Sequence, residues 1–148
     1  MILGIGVDII KIERFSNIKN PRFVARVFSE YEQEYLRSRK AQSYAAIFAA
    51  KEAVAKALGT GFLKFSPREI EIRHTKHGKP YIQMHGAARK IAIELLKNEI
   101  RKHAKFQAPM GMTVHNCTST PLTHKKIKIS ISLSHSDTDA IAFAIIAI

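Results

Sequence analysis

The chain has 148 residues, of which 46% are apolar, and this is enough for one domain with a hydrophobic core. Its 24 Lys and Arg residues outnumber 12 Asp and Glu residues, and the net charge of +12 attracts nucleic acid, anionic membranes, phosphorylated small molecules or acidic proteins. The basic residues are scattered from Lys11 to Lys128, which weakens a nucleic-acid-binding hypothesis. The single Cys117 excludes an internal disulfide and fits a reducing compartment.

The two apolar ends of the chain do not predict targeting or membrane segments. Residues 1–10 contain Asp8 and lack a basic region, so we expect no signal peptide. Residues 140–148 are about half as long as a membrane span. We therefore expect a soluble, cytoplasmic protein.

Residues 1–10 are almost wholly apolar and predict a buried strand, in which Gly4 and Gly6 permit the close approach of another element. Asp8 is the exception, because a carboxylate in an apolar strand is costly unless it is paired, hydrogen-bonded or bound to a metal. The alternative is that Asp8 ends the strand and caps a helix over residues 9–15. The strand alone does not choose between these interpretations.

Residues 11–39 predict two or three short helices. The pair Asn20-Pro21 marks a break, and Ser29 with Glu32 forms a predicted capping box. The early part is basic with interleaved aromatics: Arg14, Phe15, Lys19, Arg22, Phe23 and Arg26. Such a run is most often a solvated face with core aromatics.

Residues 40–58 predict the central helix, because they are rich in Ala, Lys and Glu and because Gly59 suits the left-handed position after a helix end. Glu52 and Lys56 are four residues apart and share one face. The loop that Thr60 and Gly61 open has backbone N–H groups that an anion can approach. The pattern fits either a metal–phosphate site or an ordinary surface ion pair followed by a glycine stop.

The rest of the chain predicts two hairpins around a long helix. Strands over residues 67–73 and 81–84 flank a turn at residues 77–80, and a basic helix follows over residues 87–106. Residues 107–124 predict an irregular excursion. Residues 127–133 alternate between apolar and polar side chains, and residues 140–148 complete a buried hairpin. Because no repeat or linker is evident, we expect a single domain over residues 1–148.

Two dispersed acids are candidate metal ligands. Asp8 and Glu52 can share one Mg²⁺, because magnesium often takes only one or two carboxylates while waters and substrate phosphates complete its shell. His135, in a polar turn at a strand end, can add a titratable group, although a lone His is more often structural. Separation in sequence does not show whether the three meet.

Four motifs occur in an order that is specific to one family: Gly4-Ile5-Gly6-Val7-Asp8-Ile9, then Phe48-Ala49-Ala50-Lys51-Glu52-Ala53 with Lys56 and Gly59-Thr60-Gly61, then Gly78-Lys79-Pro80, then Ser132-Leu133-Ser134-His135-Ser136. The chain resembles the holo-[acyl-carrier-protein] synthase family of 4′-phosphopantetheinyl transferases, over residues 1–86 and again over residues 127–148. The resemblance implies an α+β fold in which an antiparallel sheet packs with a long central helix.

The resemblance also implies a reaction in support of fatty acid biosynthesis. A serine of apo-acyl carrier protein attacks the β-phosphate of coenzyme A, phosphopantetheine is transferred, and 3′,5′-ADP leaves. Asp8 and Glu52 match the family's Mg²⁺ ligands, and Lys56 lies where it stabilises charge on the phosphates. A metal-bound water held by Glu52 is the preferred base, with His135 the alternative.

Two further sets of residues are implied by the same resemblance. The coenzyme A contacts are Lys56, Gly59, Thr60, Gly61, Lys79, Pro80, His135 and Ser136. The contacts to the acidic carrier protein are Arg14, Arg22, Phe23 and Arg26. The family is typically a homotrimer with active sites where protomers meet.

Two departures from the family pattern bear on these expectations. Ile47 stands where the family commonly has Arg, which removes one phosphate or partner contact unless the nearby Lys51 replaces it. Residues 99–126 look like an insertion. The alternatives to the transferase are therefore an inactive relative that binds coenzyme A or carrier protein, and a basic nucleic-acid-binding module in which residues 14–26 and 90–105 grip phosphates.

Overall fold

The computed structural model describes residues 1–18, 20–106 and 126–148. Its strands are β1 (Ile2–Lys11), β2 (Ile70–His74), β3 (Pro80–Met84), β4 (Lys128–His135) and β5 (Asp139–Ala147). Its α-helices are α1 (Pro21–Val27), α2 (Glu30–Leu36), α3 (Ala41–Ala57) and α4 (Gly86–Phe106). Short 3₁₀ turns cover Ile12–Phe15, Gly61–Leu63 and Pro67–Glu69. The predicted α+β class is confirmed.

The strands form two antiparallel sheets. In the larger sheet, of order β1-β5-β4, the terminal strand β5 lies in the middle, and Val7 of β1 and Ser132 of β4 both pair with Phe143. The β2–β3 hairpin is a separate two-stranded sheet whose turn contains Gly78 at a φ of 78°. Both predicted hairpins are therefore present.

Helix α3 packs on the inner face of the larger sheet. A Cβ atom at Gly4 or Gly6 would collide with the backbone carbonyl oxygens of Ala57 and Ala53, so the two glycines allow the helix to approach β1 closely. The facing residues of β5 are the buried Ala140, Ala142 and Ala144. The predicted close approach at the glycines is confirmed, and the element that approaches is the central helix.

The outer face of the same sheet is exposed, so the prediction that residues 1–10 and 140–148 are buried strands is wrong for half of their side chains. Side chains alternate between the two faces of a strand, and only one face meets α3. The outward residues Ile5, Val7, Ile9, Ile141 and Phe143 are each at least 40% exposed.

A fully buried ion pair joins three elements behind α3. Lys51 Nζ lies 2.7 Å from Glu32 Oε2 and also donates to the carbonyl oxygens of Pro67 and Ile70. The Glu32 carboxylate in turn accepts from the backbone N–H groups of Ser29 and Ile72, each at 2.7 Å. The predicted capping box is confirmed, and Lys51 is unable to replace a missing arginine because its ammonium lies in the core. Ile47 also packs in the core, with 2% of its surface exposed.

Two local predictions are wrong. Asp8 is not a helix cap, because β1 continues through Lys11 and the 3₁₀ turn that follows has no side-chain cap. Pro67–Glu69 is not strand, because Ser66 and Glu69 form a capping box around a 3₁₀ turn. The Glu69 carboxylate also accepts from Ala88 N at 3.1 Å, which caps the start of α4 and ties the two ends of the β2–β3 hairpin together.

The other helix predictions agree with the structure: short helices precede α3, Gly59 ends it with a φ of 76°, and α4 runs from Gly86 to Phe106. Residues 99–106 of the predicted insertion belong to α4, while the predicted excursion over 107–124 lies outside the described residues. Within the described ranges, no helix combines the length and apolar character needed to cross a bilayer.

Candidate active site

Asp8 and Lys56 meet at the inner face of the sheet. Lys56, in the last turn of α3, places its Nζ 2.8 Å from Asp8 Oδ1 and 3.0 Å from the carbonyl oxygen of Val7. The Asp8 side chain is 13% exposed, whereas that of Lys56 is 51% exposed. The lysine is therefore a cation that a ligand can reach, held by a carboxylate that is largely withdrawn from solvent.

Glu52 lies in the same electrostatic environment, one turn earlier on α3. Burial raises the pKa of its carboxyl, and the negative charge of Asp8 raises it further, whereas Lys56 and Arg14 lower it. In the part of the chain that the structure describes, the ion-pair partner of Lys56 is Asp8 and not Glu52. The interpretation of Glu52 and Lys56 as an ordinary surface pair is therefore wrong.

The two carboxylates fit a divalent cation. Asp8 Oδ2 is buried and has no hydrogen-bond partner among the described residues, so an oxygen that can bind a metal is left unsatisfied. It lies near Glu52, whose raised pKa disfavours the charged carboxylate in the absence of a cation. The described residues contain no cluster of three or more His, Cys, Asp or Glu side chains that could hold a metal ion. A two-carboxylate site suits Mg²⁺, which takes its remaining oxygens from water and substrate phosphates.

A partly aromatic surface borders this acidic centre. The rings of Phe15, Phe23 and Phe48 form a cluster with centroids 5.6–6.5 Å apart, and Arg14 Cζ lies 6.0 Å from the centroid of Phe48. A cavity of about 310 Å³ opens beside Arg14 and Phe23. Arg22 and Arg26 are exposed on α1, as expected for a solvated basic face. Phe23 is also 36% exposed, so the aromatic residues of this run are not all in the core.

The loop after α3 has the backbone freedom that its glycines predict. Gly59 and Gly61 both have positive φ, 76° and 55°, and Thr60 Oγ1 donates to the carbonyl oxygen of Gly61 at 3.1 Å. Thr60 also lines a cavity of about 270 Å³ between this loop and α4, with Lys64 and Asn98 as further polar groups.

The remaining predicted site residues do not contact the acidic centre within one chain. His135 pairs with Ala140 at the end of β4, two strands away from β1, and the sheet spacing puts it about 12 Å from Asp8. Ser136 Oγ accepts from the backbone of Thr138 and Asp139 in the same turn. Lys79 and Pro80 lie in the separate β2–β3 hairpin.

Comparison with known proteins identifies the group to which this arrangement belongs. The model of the 4′-phosphopantetheinyl transferase superfamily matches residues 4–109, which include Asp8, Glu52 and Lys56. The holo-[acyl-carrier-protein] synthase of Caldanaerobacter subterraneus is 40% identical over 118 residues, which are 77% of this chain and 93% of that protein. The chain belongs to the holo-[acyl-carrier-protein] synthase family.

Further members of the family agree in sequence and structure. The synthase of Clostridium acetobutylicum is 49% identical over 96 residues, which cover 62% of this chain and 77% of that protein. The solved synthase of Bacillus anthracis in complex with CoA (3′,5′-ADP) superimposes with a TM-score of 0.66 and 26% identity, and the match covers 99% of this chain and 96% of that one. The predicted phosphopantetheinyl transferase-like fold is confirmed.

Two features of the site region were missed from sequence. The charge partner of Lys51 was not predicted, although the capping-box pattern had already placed Glu32 at the start of α2. The influence of Arg14 on Glu52 was also missed, because the two lie on elements that only the folded chain brings together. Within the motifs themselves, the apolar neighbours of Lys51 were the available signal that its side chain is buried.

Proposed function

We propose that this chain transfers 4′-phosphopantetheine from coenzyme A to a serine of an acidic apo-acyl carrier protein, releases 3′,5′-ADP and supports fatty acid biosynthesis in the cytoplasm. The observation that carries the proposal is the group of Asp8, Glu52 and Lys56, which lies at the positions that the family motifs give. A nucleic-acid-binding module would leave these carboxylates without a role.

Asp8 and Glu52 would hold Mg²⁺, which when bound neutralises negative charge on the pyrophosphate. The buried, unpartnered Asp8 Oδ2 supports this assignment. Lys56 complements it, because its ammonium is half exposed at the edge of the same group and a phosphate can reach it. It stabilises the charge that develops on the transferring phosphoryl group and the leaving phosphate.

The preferred acceptor of the serine proton is a water held by Glu52. A carboxylate at this position can accept a hydrogen bond from such a water and orient it. His135, the alternative base, lies about 12 Å from Asp8 along the sheet of the same chain. His135 is better suited, together with Ser136, to contact the nucleotide phosphates.

The carrier protein and coenzyme A would meet at this centre from different sides. Arg14, Arg22 and Arg26 offer positive charge to an acidic partner, and the exposed edge of Phe23 offers an apolar contact. For coenzyme A, the loop of Gly59, Thr60 and Gly61 begins three residues after Lys56, while Lys79 and Pro80 would contribute from the β2–β3 turn.

The assembly we propose is a homotrimer with active sites between protomers. The outer face of the larger sheet supports it, because Ile5, Val7 and Ile9 of β1 lie beside Ile141 and Phe143 of β5 and remain exposed. Contiguous apolar surface of this kind marks an interface. The distance of about 12 Å between His135 and Asp8 in one chain is consistent with a site completed by a second protomer.

The test is mass spectrometry of an apo-acyl carrier protein incubated with the protein, coenzyme A and Mg²⁺. We expect the carrier protein to gain the mass of one phosphopantetheine. The gain should be absent when EDTA is added or when Glu52→Gln replaces the wild type. Glu34→Gln, at an exposed carboxylate on α2 that pairs with Arg37, is the matched control and should retain activity. No gain with several carrier proteins, although the sample is folded, would favour the inactive relative that binds coenzyme A or carrier protein.

A further inference from the structure

The turn of the β2–β3 hairpin, residues 75–79, is a compact unit joined directly to His74. Thr75 N donates to the carbonyl oxygen of Lys79 at 2.9 Å, and Lys79 N donates to Thr75 Oγ1 at 3.1 Å. Pro80 pairs with His74 across the hairpin. The orientation of Lys79 and Pro80 therefore follows the position of His74.

The base of the hairpin is held firmly, while its turn is not. Ile70 and Ile72 are fully buried and bond to the Glu32–Lys51 pair, but burial ends along β2 and His74 is only half-buried. A two-stranded sheet of this length is marginal by itself. A contact near residue 74 adds to the restraints that fix the turn relative to the helices.

The ring of Tyr35 on α2 provides that contact. It stacks on the imidazole of His74 with centroids 4.5 Å apart and an angle of 16° between the planes, and Arg39 Cζ lies 4.8 Å from the same Tyr35 ring. His74 Nδ1 is buried and has no hydrogen-bond partner within the described residues. The neighbouring Arg73 points to the opposite face of the strand and pairs with Glu71.

We propose that the Tyr35–His74 stack is a positioning contact for the transferase reaction, which fixes residues 75–79 so that Lys79 and Pro80 are oriented to bind coenzyme A. The proposal rests on the function proposed above, because it needs these two residues to face that substrate. Tyr35 and His74 themselves act only through the hairpin.

The surroundings of the stack favour the neutral form of His74. Burial lowers the pKa of His74, and the positive charge of Arg39 lowers it further. No carboxylate among the described residues pairs with the ring, so an imidazolium would place a second cation beside Arg39 and leave its Nδ1–H without an acceptor. The neutral form therefore persists below the ordinary His value of about 6.5, and the stack loosens only in more acidic solution.

Steady-state kinetics with both substrates test the proposal. Tyr35→Leu should raise KM for coenzyme A by about 2- to 12-fold, which corresponds to the usual worth of an aromatic pair, while kcat and KM for the carrier protein stay within about twofold. Tyr35→Phe, which keeps the ring, should behave as the wild type. Tyr44→Leu is the structural control, because Tyr44 packs on Phe28 and makes no ring contact with the hairpin among the described residues. It should lower Tm without a selective change in KM for coenzyme A.

A second comparison uses pH and does not depend on the stability of Tyr35→Leu. The ratio of KM for coenzyme A between wild type and His74→Phe should stay constant above about pH 6.5 and rise in more acidic buffer, because phenylalanine keeps the stack and takes up no proton. Parallel pH profiles, or equal changes in KM for both substrates in Tyr35→Leu, would overturn the proposal. Absence of transfer by the wild type would instead overturn the proposed function.

Discussion

The buried ion pair between Glu32 and Lys51 leads to a prediction about stability. Replacing Lys51 with Met keeps the length of the side chain but removes the charge and three donated bonds, to Glu32 and to the carbonyl oxygens of Pro67 and Ile70. Glu32 is then a buried carboxylate without a cation, although the N–H groups of Ser29 and Ile72 still bond to it. Loss of one partner of a buried pair costs about 3–5 kcal/mol.

Urea denaturation followed by circular dichroism measures this cost. We expect the free energy of unfolding of Lys51→Met to fall by about 3–5 kcal/mol with an unchanged m value. The double variant Glu32→Gln with Lys51→Met should be less destabilised than the sum of the single variants, because it no longer contains an unpaired charge. Additive losses, or a loss below about 1 kcal/mol in Lys51→Met, would refute the argument that the charges stabilise each other.

Three other predictions concern packing, pH and assembly. Gly6→Ala should destabilise the protein by about 1–3 kcal/mol in the same urea assay, because its Cβ meets the carbonyl oxygen of Ala53, whereas Ser38→Ala, in the exposed turn after α2, should be neutral. Burial raises the pKa of Glu69, but hydrogen bonds from the N–H groups of Ser66, Ala88 and Ala87 together lower it below its usual value. The stability that Glu69 contributes is therefore present above about pH 4.5 and lost as pH falls, so the difference in urea midpoint between wild type and Glu69→Gln should shrink between pH 7 and about pH 3.5. A constant difference would contradict this. Phe143→Lys should shift the proposed trimer towards monomer in light scattering and abolish transfer, and an active trimer would argue against the outer face as interface.

Periodicity and helix signals predicted most of the elements because these features are local. The alternation over residues 127–133 predicted β4, and the glycine after residue 58 predicted the end of α3. Whether the second face of a strand is covered is not a local property. The apolar residues of β1 and β5 would look the same whether they pack in a core or against another subunit, and burial was therefore overestimated.

The candidate site was predictable where a motif fixed residue identities and not where a partner had to be chosen. Asp8, Glu52 and Lys56 were expected to form one group, but the sequence offered Glu52 as the partner of Lys56 and the fold gives it Asp8. Lys51 was considered as a replacement for the arginine that the family commonly has at position 47, yet its side chain is buried, and three polar groups behind α3 make that burial possible. Such choices depend on which distant segments fold together.

The Glu69 carboxylate has a consequence for how the chain can vary. The Glu69 carboxylate accepts hydrogen bonds from Ser66 N and Ala88 N, and the second bond closes the β2–β3 hairpin across 19 residues. His85 N donates to the Glu69 carbonyl oxygen at 2.8 Å and closes the same segment a second time. Once the ends of a loop are fixed, each doubling of its length costs only about 0.6 kcal/mol of chain entropy. Residues can thus be added or removed at the turn near Gly78 with little effect on the rest of the fold, and a longer or shorter hairpin would carry Lys79 to a ligand at a different distance.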